Sequence, residues 1–532
     1  MRRSIVKRWA LLLLGVAASL GVWAQAGQAG DAFITLWDLS LQGSEVWTGK
    51  GALVQGVWAE YEKLPTSDGT TLYFPGRGSQ SCIVEFLRAD KNPQTDEWTP
   101  VPIAPDQFTT MKPLKIQFPE ADQRWYVRVF PRDADGKDAF WEFRMGHWSE
   151  EWEGNWRLFG DASRLVRVVS WGRVNWVGLE AAFFGCSNLE QLPLIDDPKF
   201  PDRVLLPGKV TGIIDYLFSG CKKLKTTNSA NKVEWTLADW DVSDATRMRG
   251  LFKECELYND NLARWNVGKV TDFYEAFMQA KKFDCDISRW DMRRVVCVSW
   301  MFSGTEAFNV DLALWKFEKL EEMTEMVSYS RAFNRPLGRW NLSKVKKAAS
   351  FARDATALKT RNIDHLLLGW GAQATTPGEG FSRFIWISPN SHSARSQEGY
   401  NSLTGKGWKI MGETTENPYE YHKLEGIRLS THDIYAQKGQ QTSLEAILDV
   451  ARIPSNATYG EIYAIQAGDD TDKAFVTPAG SIWAYEVGEV QLTITTLEGD
   501  FRENVTLHVV DEANCDRDFP RTLGTVEDRC QQ

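Results

Sequence analysis

The sequence predicts a multi-domain chain built around an α/β solenoid of 25-residue coils, with a β-rich segment on either side. Three observations carry that expectation. Trp240, Trp265, Trp290, Trp315 and Trp340 stand 25 residues apart, apolar residues recur in fixed columns between them, and both flanks show strand-like alternation instead. A fixed period of this length marks one small unit stacked on copies of itself, each unable to bury its apolar face alone.

Residues 1–26 read as a secretory signal. Arg2, Arg3, Lys7 and Arg8 precede an apolar run from Ala10 to Val22, followed by the small-residue site Ala24-Gln25-Ala26. The run is short for a membrane span, so a cleaved signal is favoured over a retained anchor, and no later stretch is apolar enough for a transmembrane span after cleavage. The expected location is the cell surface or the medium. Formal charge is −10 and falls to −14 without the four basic residues of the signal, which argues against nucleic acid as a partner.

Residues 31–160 alternate in the manner of strands, as at Ile116 and Phe118 and at Trp125, Val127 and Val129, with turns at Ser67-Asp-Gly69 and Ala134-Asp-Gly136. A small β-sandwich is expected. Trp148, Trp152 and Trp156 follow at i, i+4 and i+8, the spacing of a helical stripe, read as core in preference to a carbohydrate-stacking face.

Residues 165–411 form the repeat array and its cap. Five, eight and twelve residues after each Trp come apolar columns such as Val270, Phe273 and Phe277, ending in the marker residues Phe252, Phe277 and Phe302. Those offsets predict a short amphipathic helix in each coil. Phe283 and Ile287, eighteen and twenty-two residues on, predict a strand, and the polar column Asn259, Asp284, Asn309 and Asn334 between such positions suits turn backbone. The marker Phe recurs earlier at Phe184 and Phe218 with 34-residue spacing, so the first coils carry insertions. Cys186, Cys221 and Cys255 lie two or three residues after a marker and read as buried thiols in preference to a disulfide ladder. Residues 362–370 predict a closing helix.

Residues 412–422 read as a linker, and 423–510 alternate again, with Val490, Leu492 and Ile494 facing Val505, Leu507 and Val509 across a turn. Connection lengths predict an all-antiparallel sandwich. The polar tail, 511–532, contains Cys515 and Cys530, the best candidates for a disulfide.

The run Trp240-Asp-Val-Ser243 with Thr246 and Met248, and the segments Phe283-Asp-Cys-Asp-Ile287 to Trp290 and Phe308-Asn-Val-Asp-Leu312 to Trp315, resemble the 25-residue variant of the BspA-like leucine-rich-repeat surface proteins of bacteria. Leu366-Leu-Leu-Gly-Trp370, Ala394-Arg395 and Gly407-Trp408-Lys-Ile410 look like that family's C-terminal cap, and Phe33-Ile-Thr-Leu-Trp37 like its entry segment. The resemblance spans about residues 31–411; Val327, Ala348 and Ala352 depart from its Met-Phe consensus. Similarly, the spacing from Ala474 to Ile494 resembles the group 2 bacterial immunoglobulin-like domain, with Tyr463-Ala464 where that family carries Trp-Ser. Together these imply a leucine-rich-repeat-like solenoid followed by an Ig-like sandwich, in an exported, non-enzymatic adhesin.

No Gly-x-Ser-x-Gly, His-Glu-x-x-His or complete phosphate-loop signature is present, and no metal-ligand spacing; neither a catalytic residue nor a cofactor is assigned. The adjacent pair Glu150-Glu151 reads as solvated surface. What remains is a binding protein. Its candidate face is a cationic stripe, Lys269, Arg294, Lys319 and Lys344, four residues after successive Trp, with Arg264, Arg289 and Arg339 just before them. A host extracellular-matrix or cell-surface protein, or an acidic glycan, is the expected partner. The bland alternative is that Asp272 and Glu322 neutralise Lys269 and Lys319 along a helix. A structural surface spacer and a carbohydrate-processing protein stand as the other readings.

Overall fold

The computed structural model describes residues 31–511, apart from 55–56, 80, 104–111, 133–137, 139, 150–154, 227–234, 416–421, 423, 456–461, 467–472, 477–479 and 497–500. The signal, Glu150-Glu151, Trp152, Cys515 and Cys530 lie outside the described residues. Five strands open the fold: β1 (Phe33–Asp38), β2 (Val84–Arg88), β3 (Thr99–Pro100), β4 (Arg124–Val129) and β5 (Leu165–Trp171). They form one antiparallel sheet in the order β5-β1-β4-β2-β3. Alternation aims Phe33, Val127, Val129, Val84 and Phe86 at one face, and Phe140, Phe143 and Trp176 close over Phe33 with ring centroids 5.1 to 5.8 Å away.

The expected N-terminal sandwich is corrected here. Beside the five-stranded sheet the described residues of this segment form only two-stranded ribbons, with no second large sheet among them. The sheet's inward face meets the ribbon Thr71–Phe74 with Leu114–Gln117, Phe74 lying 5.7 Å from Trp37 and Phe118 4.9 Å from Phe86, and the same apolar core continues into the repeat units as far as Trp408. Nor do Trp148 and Trp156 lie on a helix: they sit opposite one another in the hairpin Gly146–Ser149 and Asn155–Leu158.

The α/β leucine-rich-repeat-like solenoid is likewise overturned. Between Arg247 and Thr360 no described residue is helical and none belongs to a strand beyond isolated bridges. The elements of the chain are chiefly short strands in small, mostly antiparallel sheets, with few helices. Two features of the repeats exclude the helix. Each unit takes two residues into left-handed backbone four positions apart: Glu275 (φ 57°) and Gln279 (φ 61°), Trp300 (φ 62°) and Gly304 (φ 73°), Glu325 (φ 50°) and Tyr329 (φ 59°). A right-handed helix does not survive such residues, which cost of order 1–2 kcal/mol each outside glycine. The second feature offsets that strain. Alternate N–H groups donate to the next unit, Phe273 to Cys297, Glu275 to Ser299, Phe277 to Met301 and Gln279 to Ser303, all within 3.0 Å. The same set recurs one unit later from Val298 to Gly304 and again from Met323 to Tyr329.

Helical periodicity misled for a definite reason. Within a unit the chain advances by tight turns, Ala276 N–H bonding to Phe273, Ala280 to Phe277 and Phe283 to Ala280, each reaching back three residues. Apolar residues three or four apart therefore face inward without a helix. Beyond the last unit, helix α1 (Thr360–Gln373) lies across the array, and α2 (Gln397–Gly405) packs on it.

The C-terminal segment has its own core, from Ile434 to Val509. Its four-stranded sheet runs Asp433–Gln437, Arg502–Val510, Gly488–Thr496, Ile462–Gln466, and the first pair is parallel. That pairing corrects the all-antiparallel, immunoglobulin-like expectation. Connection length indicates which strands adjoin, whereas the parallel neighbour Asp433–Gln437 arrives from far upstream, beyond the reach of local turn signals.

Candidate functional site

The repeats build their surface on a dry aromatic ladder. Trp240, Trp265, Trp290, Trp315 and Trp340 are all at most 4% exposed. The indole N–H of Trp265 donates to the Leu237 carbonyl (2.8 Å), Trp290 to Leu262 (3.0 Å), Trp315 to Ile287 (3.0 Å) and Trp340 to Leu312 (2.8 Å), each 28 residues back. Each of these four Trp thus clips its own unit to the one before. Trp265 and Trp290 stack with centroids 6.4 Å apart, and Phe252, Phe277 and Phe302 stack at 5.6 and 5.7 Å. These side chains are scaffold and touch no solvent that a partner would displace.

A second ladder is polar. The Asn259 side-chain oxygen accepts from Asp284 N–H, Asp284 from Asn309, Asn309 from Asn334, and Asn334 from Lys359, at 2.9 to 3.1 Å. The sequence column assigned these side chains to turn backbone; the backbone they hold is that of the following unit. Asp260 is the buried member of a neighbouring turn, accepting from Leu237 N–H (2.5 Å), Asn261 N–H and the Thr236 hydroxyl. Desolvation is the largest influence on it and outweighs those donors, raising its pKa from 3.8 to about 6. A carboxyl raised on folding favours the folded state in its protonated form. That stability is present in full below about pH 4 and lost as pH rises through about 6, an upper bound of roughly 3 kcal/mol. Measured against Asp260→Asn, the wild type should therefore gain stability as pH is lowered from 7 to 4; a pH-independent difference between the two would contradict the assignment.

The basic residues grouped into one stripe separate into three kinds. Lys269 is ion-paired with Asp244, which also receives Lys209 at 2.7 Å. Arg264 reaches Asp239 at 3.7 Å and lies 5.0 Å from the Tyr485 ring, while Arg289 lies 5.0 Å from the Phe475 ring, so the C-terminal segment covers this pair. Arg339 is exposed beside His365, whose imidazole is pushed down to about 4 by burial first and by the Arg339 charge second. By contrast Arg294, Lys319 and Lys344 are exposed and make no ion pair or hydrogen bond among the described residues. The proposed neutralisers are engaged elsewhere: Asp272 with Arg249 and Glu322 with Lys347, both at 2.6 Å.

What sequence reasoning missed is a set of ion pairs between equivalent positions of successive units, Glu256 with Lys281 (2.9 Å), Glu321 with Lys346 (3.2 Å) and Glu322 with Lys347. Opposite charges in one column were the available signal. The six described cysteines are all free and buried; Cys221 and Cys255 donate S–H bonds to the carbonyls of Phe183 and Phe218. No cluster with metal-ligand composition and no helix long and apolar enough to cross a membrane occurs among the described residues.

Residues 214–335 and 261–366 match the family model described as "Mycoplasma protein of unknown function, DUF285". The two overlapping matches cover the repeat units and the start of α1. Comparison with curated proteins finds no match.

Proposed function

We propose that this chain is an exported, surface-displayed binding protein without a catalytic role, which holds an acidic partner along the row Arg294, Lys319 and Lys344. The partner class is an acidic host-surface or matrix protein, or a sulfated glycan. One observation carries the reading: three cations of one column in successive units, at spacings of the order of 5 Å, stand exposed without an ion-pair partner among the described residues, whereas Lys281, Lys346 and Lys347 each pair with a carboxylate of the preceding unit. Like charges so placed repel, a cost that an anionic ligand relieves. Family resemblance to bacterial surface repeats supports the exported setting. The test is binding of the mature chain to heparin and to arrayed acidic host proteins at rising salt. Arg294→Glu, Lys319→Glu and Lys344→Glu together should weaken binding by at least about tenfold, and wild-type binding should fall as the Debye length shrinks. Salt-independent binding that the triple variant retains would refute the row as the binding face and favour the spacer reading.

A further inference from the structure

The N-terminal sheet carries a second feature, separate from the repeats. A cavity of about 290 Å³ opens between β4, the segment ending at Trp98 and the segment Lys199–Arg203. Arg128 lines it, 7% exposed, with its guanidinium 4.0 Å from the Trp98 ring and 5.2 Å from the Phe130 ring. Its Nε donates to Glu85 at 2.6 Å, and that carboxylate is itself 1% exposed. Neither terminal nitrogen of Arg128 makes a hydrogen bond among the described residues. A guanidinium held between aromatic rings, paired through Nε alone and lining the cavity, presents the planar fork that suits a carboxylate.

The charges around the opening narrow the ligand further. Lys199 and Arg203 give their hydrogen bonds to main-chain carbonyls, those of Ala89 and of Leu194 and Phe200, and have no carboxylate partner among the described residues. On the same rim Asp96, Glu97 and Asp202 have no cation partner among them. A simple anion would meet three carboxylates, and a simple cation would meet Arg128, Lys199 and Arg203. A molecule bearing both charges meets a partner for each. Between them the walls are apolar, with Ile34, Pro93, Trp98 and Phe200. At about 30 Å³ per water the volume holds roughly ten waters, the size of one apolar amino acid.

We propose that this cavity binds a free zwitterionic amino acid with an apolar side chain, its carboxylate on Arg128, its ammonium at the acidic rim and its side chain against Trp98 and Phe200. The site is independent of the basic row of the repeats.

Calorimetric titration of the mature chain with L-phenylalanine, L-leucine, L-phenylalaninamide and N-acetyl-L-phenylalanine tests it. Single-site binding of phenylalanine or leucine is expected, with the amide and the N-acetyl compound each weaker by about tenfold, having lost one charge. Glu97→Gln with Asp202→Asn, both exposed and so harmless to the fold, should weaken binding of the free amino acid severalfold and leave the N-acetyl compound unchanged. Arg128→Lys should cost about tenfold for every carboxylate; if that variant unfolds, the rim variant decides. No saturable binding of either amino acid up to about 10 mM, equal binding of the three phenylalanine compounds, or indifference of phenylalanine to the rim variant would each overturn the proposal.

Discussion

Trp290→Ala should destabilise the repeat array by about 3 to 5 kcal/mol, the usual cost of emptying a large site in a packed core. The indole is 3% exposed and lies 6.4 Å from Trp265, 5.5 Å from Phe273 and 6.1 Å from Phe277, centroid to centroid. Removing it leaves a void that three aromatic neighbours in a stacked column are too constrained to fill. It also strips the Leu262 carbonyl of its indole donor. Trp290→Phe is the milder variant, because it keeps a six-membered ring in the column and loses the hydrogen bond with the remainder of the indole, at about 1 to 3 kcal/mol. Chemical denaturation of both variants followed by intrinsic fluorescence and circular dichroism is the measurement. A loss below about 1 kcal/mol for the alanine variant would mean that the column is not a continuous packed core.

Gly369→Ala should be comparably damaging, by about 3 kcal/mol or more, for a different reason. Helix α1 meets the last repeat unit through glycine: a Cβ on Gly369 would stand 1.9 Å from the Gly338 carbonyl oxygen and 2.5 Å from its carbon. Both obstacles are backbone, so no side chain swings aside to admit the methyl group. On the opposite face of α1, Gly371 presses on Gly399 with 2.5 Å available to a Cβ. The helix is wedged between two backbones and has no direction in which to retreat. Gly405→Ala at the end of α2, where a Cβ meets nothing within 4 Å, is the control and should be neutral in thermal unfolding. Equal melting of the two variants would contradict the close packing of α1.

Much of the array's interior was legible because a column needs only a period. The Trp and Phe positions declare themselves by regular spacing whatever the backbone does between them. The backbone itself was not legible, since turns that close back three residues place apolar groups much as a helix does. Nothing in the letters Glu275, Gln279 or Trp300 announces left-handed backbone; the conformation follows from the hydrogen bonds each unit makes to the next, which are tertiary. The basic stripe was half legible. Its members could be counted, but Tyr485 and Phe475, far downstream in the chain, cover Arg264 and Arg289 through a contact that no local pattern encodes. The Arg128 cavity was invisible for the same reason: Glu85 and Arg128 are 43 residues apart and meet only across the sheet.

The central claim is that successive repeat units lie edge to edge with Asp272, Cys297, Glu322 and Lys347 directly opposite one another. Cysteine cross-linking reads that register most directly. Cys297 is native and buried at the middle of the column, so Asp272→Cys and Glu322→Cys, made separately, each place a thiol beside it from opposite sides. Paired residues in neighbouring strands lie within the Cα separation a disulfide spans. Mild oxidation followed by non-reducing peptide mapping should show a 272–297 link in the first variant and a 297–322 link in the second. Alkylation of both thiols in each variant, or a link to Cys285 in place of Cys297, would contradict the stacking of the units.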